Sequence, residues 1–236
     1  MLWLHAISWI FLGLGGITAL ILVAEVVRHP QHMRIMNVVW PITGLYFPVI
    51  GLLFYRRFGR PTAAGDHEHS HEMPNDQMAH ESAHESLTPP AKEVFLSASH
   101  CGSGCVIGDI IGAPIVFFTG LTLLGSRLFA EYLVEFVLAY ILGVAFQYFP
   151  IRAMRHVSPG QAIADAVKAD TLSLVAFQVG MFAWMAIMYY LLMPGHPPGA
   201  NSPIFWFMFQ IGMVLGFLTS WPANQFLIKQ GIKMEM

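Results

Sequence analysis

The chain has 236 residues, 56% apolar and only 11% charged, where a soluble domain is roughly 25% charged. That composition points to a bilayer as its solvent. A net charge of −2 excludes the basic face that nucleic acid requires. Two cysteines, Cys101 and Cys105, exclude the disulfide framework of a small secreted domain.

A membrane-crossing helix needs about 20 mostly apolar residues, so the gaps between charges outline the spans. Residues up to Glu25 carry no charged side chain, which predicts a first span at 5–26. Without a basic n-region, it reads as a retained span rather than a cleaved signal peptide. Residues 35–55 predict a second span, kinked at Pro41 and Pro48. The segment 59–89 breaks the pattern: it holds His67, His69, His71, His80 and His84 and no aromatic residue, as expected of a flexible loop. Thr88 followed by two prolines predicts a helix cap and a third helix over 90–124. Residues 127–149 predict a fourth span, with Glu131 and Glu135 in its first turns. The polar stretch 150–168 reads as partly helical. From Thr171 to Ile228 no side chain is charged, which is room for two spans, divided by the Pro- and Gly-rich run Met193 to Pro203.

The expectation is therefore an all-α, polytopic membrane protein with six transmembrane helices. It divides into a two-helix N-terminal part (1–58), a His-rich loop (59–89) and a four-helix membrane domain (90–236). With six spans crossing, Arg56, Arg57, Arg60, Lys92, Arg152, Arg155, Lys168, Lys229 and Lys233 lie on one side, against Arg28, Arg34 and Arg127 on the other. The positive-inside rule then places both termini and the His-rich loop in the cytoplasm of an inner-membrane protein.

The chemistry concentrates in Ser97 to Gly112. Helical neighbours four apart fall on nearly one face, with about 40° of drift. Ser97, Cys101, Cys105 and Asp109 form one polar stripe. His100, Gly104, Gly108 and Gly112 form the stripe beside it, and glycines at that spacing admit another helix's backbone. Thiolate and imidazole suit copper or zinc, so Cys101, Cys105 and His100 are candidate metal ligands, although His100 projects about 100° from Cys101. Small buried cysteines equally suit plain helix packing. A carboxylate in the hydrocarbon region faces a cavity or a partner, so Asp109 is a candidate cation or proton site. Glu135, with Glu131 paired to Arg127, would add acids on the next helix. Gln178, Met181 and Met185 share one side of the fifth span and read either as a permeation lining or as core filler. His67, His69 and His71 could collect metal ions, or the segment could be a plain linker. No phosphate-binding loop, His-Glu-x-x-His helix or nucleophile elbow is present, which argues against an enzyme.

Three segments carry a resemblance: His100-Cys-x-x-x-Cys-x-x-Gly-Asp-x-x-Gly112, Ala169-Asp-Thr-Leu-Ser to Met185, and Pro222-x-Asn224 to Met236. Over about 90–236 the chain resembles a family of bacterial membrane proteins catalogued as domain of unknown function 4396. The resemblance implies an acid at Asp109, matched here, and a glutamate where this chain has Gln178. It supplies an architecture and no activity. The functional expectation is binding or transport of a copper or zinc ion along the Cys/Asp stripe. The alternatives are a membrane thiol-redox protein, or a packing and partner-binding protein.

Overall fold

In lipid every backbone polar group must be satisfied internally, so apolar runs of this length fold as helices. The computed structural model describes residues 2–31, 33–59, 90–155 and 157–233, and no strand is found among them. The candidate loop residues His67, His69 and His71, and the Thr88 cap, lie outside the described residues. In chain order the helices are α1 (Leu2–Arg28), α2 (Met36–Tyr46), α3 (Ile50–Phe54), α4 (Ala91–Thr119), α5 (Arg127–Arg155), α6 (Pro159–Ile187) and α7 (Pro203–Lys229). Wider π-helical turns extend α3 over Tyr55–Gly59 and α6 over Met188–Leu192. Five of these helices, α1, α4, α5, α6 and α7, are long and apolar enough to cross a membrane. The polar stretch after α5 is more helical than expected: α5 runs on through Pro150, and α6 begins at Pro159 under a Ser158 cap.

The sixth expected span is not continuous. Pro48 has no N–H for the Gly44 carbonyl, and Val49 turns to φ 63°, so α2 and α3 double back on one another. Gly51 lies against Gly44, the Trp40 and Tyr55 rings meet edge-on at 5.2 Å, and Gly59 abuts Trp40. Gln31, Met36, Phe58, Gly59 and Lys92 line one shared pocket. The segment therefore enters and leaves at the same end of the bundle. Its tip is tolerated because neighbours satisfy it: Thr18 Oγ1 on α1 accepts from the Val49 N–H at 3.1 Å, and Gln210 on α7 donates to the Leu45 carbonyl. A β-branched residue at positive φ is strained. Val49→Gly is expected to stabilise the protein by about 1 kcal/mol, read as a higher thermal midpoint in detergent. An unchanged midpoint would mean that the half-exposed valine side chain offsets that strain by its contacts.

α4 is the central helix. In its apolar window 61% is buried, against 28% for α1, and it touches α2, α5, α6 and α7. α4/α5 and α6/α7 are antiparallel neighbours. One end of the bundle, the first end below, gathers the start of α4, the end of α5, the start of α6 and the end of α7. α1 runs toward this end, because Phe11 meets Phe207 near the start of α7 while Arg28 leads into α2. Residue 2 and residue 233 thus lie at opposite ends. The sequence reading puts both termini on one side by counting 35–55 as a crossing; folded back, that segment leaves residues 2 and 233 at opposite ends of the bundle.

Candidate functional site

The two stripes of α4 face different neighbours. The glycine stripe receives α5: a Cβ on Gly104 would stand 2.7 Å from Gly143 Cα, one on Gly108 would collide with the Ala139 backbone, and one on Gly112 would meet Glu135 Cγ at 2.8 Å. His100, on the same stripe, donates from Nε2 to the Phe146 carbonyl of α5 at 3.1 Å. The polar stripe faces α2, α6 and α7 and is buried from Ser97 to Asp109.

At the first end, Ser97 Oγ donates to Asn224 Oδ1 at 3.0 Å. The same oxygen accepts from Lys233 Nζ at 2.8 Å, and Lys233 also lies 3.5 Å from Asp170 Oδ1. Asn224 Nδ2 donates to Ser173 Oγ at 2.6 Å and to the Ser220 carbonyl at 2.9 Å. All of these side chains are buried, including the lysine. His100 stands within electrostatic reach of Lys233 and Asp170.

In the middle, Cys101 and Cys105 are free, fully buried, and within hydrogen-bonding reach of one another. The Tyr46 hydroxyl of α2 projects toward them and toward Ser99. One turn on, Asp109 Oδ1 accepts from Gln178 Nε2 of α6 at 2.9 Å. The other oxygens of the pair, Asp109 Oδ2 and Gln178 Oε1, are buried and find no partner among the described residues. Buried Glu135 lies within electrostatic reach of Asp109 and of Glu131. Glu131 pairs with Arg127 at 3.2 Å, whose guanidinium sits 5.7 Å from the Phe117 ring centre.

Of the residues expected from sequence, Cys101 with Cys105, and Asp109 with Gln178 and Glu135, are brought together. His100 is turned toward α5, away from the thiols. Met181 meets Gly212 of α7 and Met185 is buried, as core filler would be. Among the described residues no three of His, Cys, Asp and Glu gather closely enough to hold a metal ion.

Sequence reasoning missed the Asp170–Asn224–Lys233 cluster. Its signal was present: Asp170 directly precedes the long uncharged run and Lys233 lies shortly beyond its end, both inside segments already singled out for their resemblance.

A family model described as a domain of unknown function (DUF4396) matches residues 91–233, the part of the chain that carries both polar clusters. Comparison with curated proteins and with solved structures finds no match.

Proposed function

The chain belongs to the DUF4396 family, whose description assigns no activity, and from its own residues we propose that it handles a soft cation, copper(I), at Cys101 and Cys105. The carrying observation is two free, buried thiols one turn apart on the central helix. Soft thiolates select copper(I), which two of them satisfy. Closed zinc sites take four nitrogen or sulfur ligands. With His100 held by Phe146 and no third ligand gathered there among the described residues, the geometry favours copper over zinc. Beyond the thiols the stripe reaches the Asp109 oxygen that is unpartnered among the described residues, and Glu135 of α5 lies within its electrostatic reach; these harder ligands would form an outlet from which a soft ion departs readily.

The orientation follows from the same charge rule, applied to the observed fold. With 31–59 folded back, Arg28, Arg34, Arg56, Arg57, Lys92, Arg152, Lys168, Lys229 and Lys233 all belong to the first end, and Arg127 to the other. We read the first end as cytoplasmic in an inner membrane, with residue 2 outside and residue 233 inside. Gly59 and Pro90, which flank the His-rich segment, are both at that end, so His67, His69 and His71 would offer ions from the cytoplasm.

Titration of the reduced, detergent-purified chain with copper(I) against a chromophoric chelator tests this. One ion per chain is expected. Cys101→Ala or Cys105→Ala should weaken it by more than the about 100-fold that loss of an outer-shell partner costs, while deletion of 62–87 leaves the site intact. Copper lost only with the deletion would make the loop a peripheral chelator. Reversible disulfide formation without copper binding would favour a thiol-redox protein. No copper and no redox change would leave the cysteines as packing residues.

A further inference from the structure

The chain after α7 turns sharply. Gly231 adopts φ 63°, the N–H groups of Ile232 and Lys233 both return to the Leu227 carbonyl, and the Lys233 side chain is inserted into the bundle rather than left in water. A lysine at a helix end normally extends its ammonium to solvent. This one is fully buried, and the hydrogen-bond partners of its ammonium among the described residues are oxygens: Asp170 Oδ1 at 3.5 Å and Asn224 Oδ1 at 2.8 Å, with Ser97 and Ser173 hydroxyls bonded to the same amide. One carboxylate surrounded by neutral oxygens balances one positive charge. Carboxylate, carbonyl and hydroxyl oxygens are the donors that hard cations take. The second Asp170 oxygen, Oδ2, is buried, unpartnered among the described residues and directed at Gly143 of α5, so the carboxylate has acceptor capacity that the ammonium does not use. A polar cleft of about 200 Å³, lined by Asp165, Lys168, Gln230, Gly231 and Ile232, lies on the same turn.

We propose that Asp170, Asn224, Ser97 and Ser173 form a site for a hard monovalent cation, sodium or potassium, and that the Lys233 ammonium is its tethered occupant. Withdrawal of the tail on the Gly231 turn exchanges the ammonium for the free ion and opens the first end of the bundle. The site shares no residue with the copper pair and stands or falls separately from it.

The test is the thermal midpoint of the purified chain in choline, sodium and potassium chloride at equal ionic strength. Wild type, already holding its ammonium, should melt at one temperature in all three. Lys233→Met leaves Asp170 buried without its counter-charge, and its midpoint in choline should fall by about 10 °C. Sodium or potassium, whichever the site takes, should restore at least half of that loss with saturation. Asp170→Asn combined with Lys233→Met should show no dependence on the cation. Equal destabilisation of Lys233→Met in all three salts overturns the proposal. Should that variant not accumulate in any salt, wild-type Lys233 decides. Its acetylation by an amine reagent, followed by mass spectrometry, should rise several-fold in sodium or potassium over choline, and an unchanged rate overturns the proposal.

Discussion

Gly108→Ala is expected to destabilise the bundle by about 3 kcal/mol, the upper end of the range for overpacking. The new methyl would occupy the space of the Ala139 backbone, with the Ala139 N, Ala139 Cα and Leu138 carbonyl carbon all inside contact distance. Side chains relieve an overlap by changing rotamer, but a helical backbone cannot. The two helices must separate along the whole Gly104–Gly112 seam, which removes dispersion contacts on both sides. Separation would also pull Phe146 from His100 and Glu135 from the neighbourhood of Asp109. Copper affinity should therefore fall although no proposed ligand has been altered. Gly13→Ala on α1 is the control: nothing lies within 4 Å of its added Cβ, and it should change stability by no more than about 0.5 kcal/mol. Urea or thermal denaturation of the three proteins in one detergent reads the difference. Equal stability of Gly108→Ala and wild type would show that the α4–α5 approach is looser than described.

Asn224→Leu carries the second large effect. The Asn224 amide serves four partners, accepting from Ser97 and Lys233 and donating to Ser173 and the Ser220 carbonyl. Leucine keeps the branched skeleton and heavy-atom count of asparagine, so the loss is chiefly of hydrogen bonds, to which the bulkier methyl groups add some overpacking. A buried donor or acceptor left alone costs about 1–3 kcal/mol, and more when charged. With the Lys233 ammonium among those stranded, a total of about 4 kcal/mol is expected, or a thermal midpoint lower by about 10 °C. Thr219→Val gives the comparison. Thr219 bonds only to carbonyls, Ala176 across the interface and Leu215 and Gly216 on its own helix, and its exposed position should hold the cost to about 1 kcal/mol. If Asn224→Leu costs no more than Thr219→Val, the cluster does not hold α4, α6 and α7 together.

Much of this protein is legible without coordinates because helix formation in lipid is a local requirement. The uncharged runs before Glu25 and after Asp170 mark spans whatever surrounds them. The glycine spacing at 104, 108 and 112 identifies the face of α4 that admits a close neighbour. The same spacing rule aligned Cys101, Cys105 and Asp109 on one stripe. What failed was the reading of residues 35–55. Hydropathy is blind to direction, so a helix that crosses and a hairpin that returns have the same composition. Pro48 was visible, but a proline kinks a span or ends it according to whether neighbours accept the freed backbone groups. Thr18 and Gln210, distant in sequence, provide that acceptance.

By itself, then, the sequence determined the membrane class, the identity and face of the central helix, and the paired thiols with a carboxylate one turn beyond, since each follows from composition or from helical period. Tertiary structure decided which helix answers each face. It set Gln178 against Asp109, turned His100 to Phe146 and away from the thiols, and folded α3 back along α2, which puts residues 2 and 233 at opposite ends. It also buried Lys233 against Asp170 and Asn224. The His100–Phe146, Lys233–Asp170 and Gln178–Asp109 pairs join residues 46, 63 and 69 positions apart, and no local period encodes contact across such a distance. They form because a polar group inside a bilayer must find its partner within the protein.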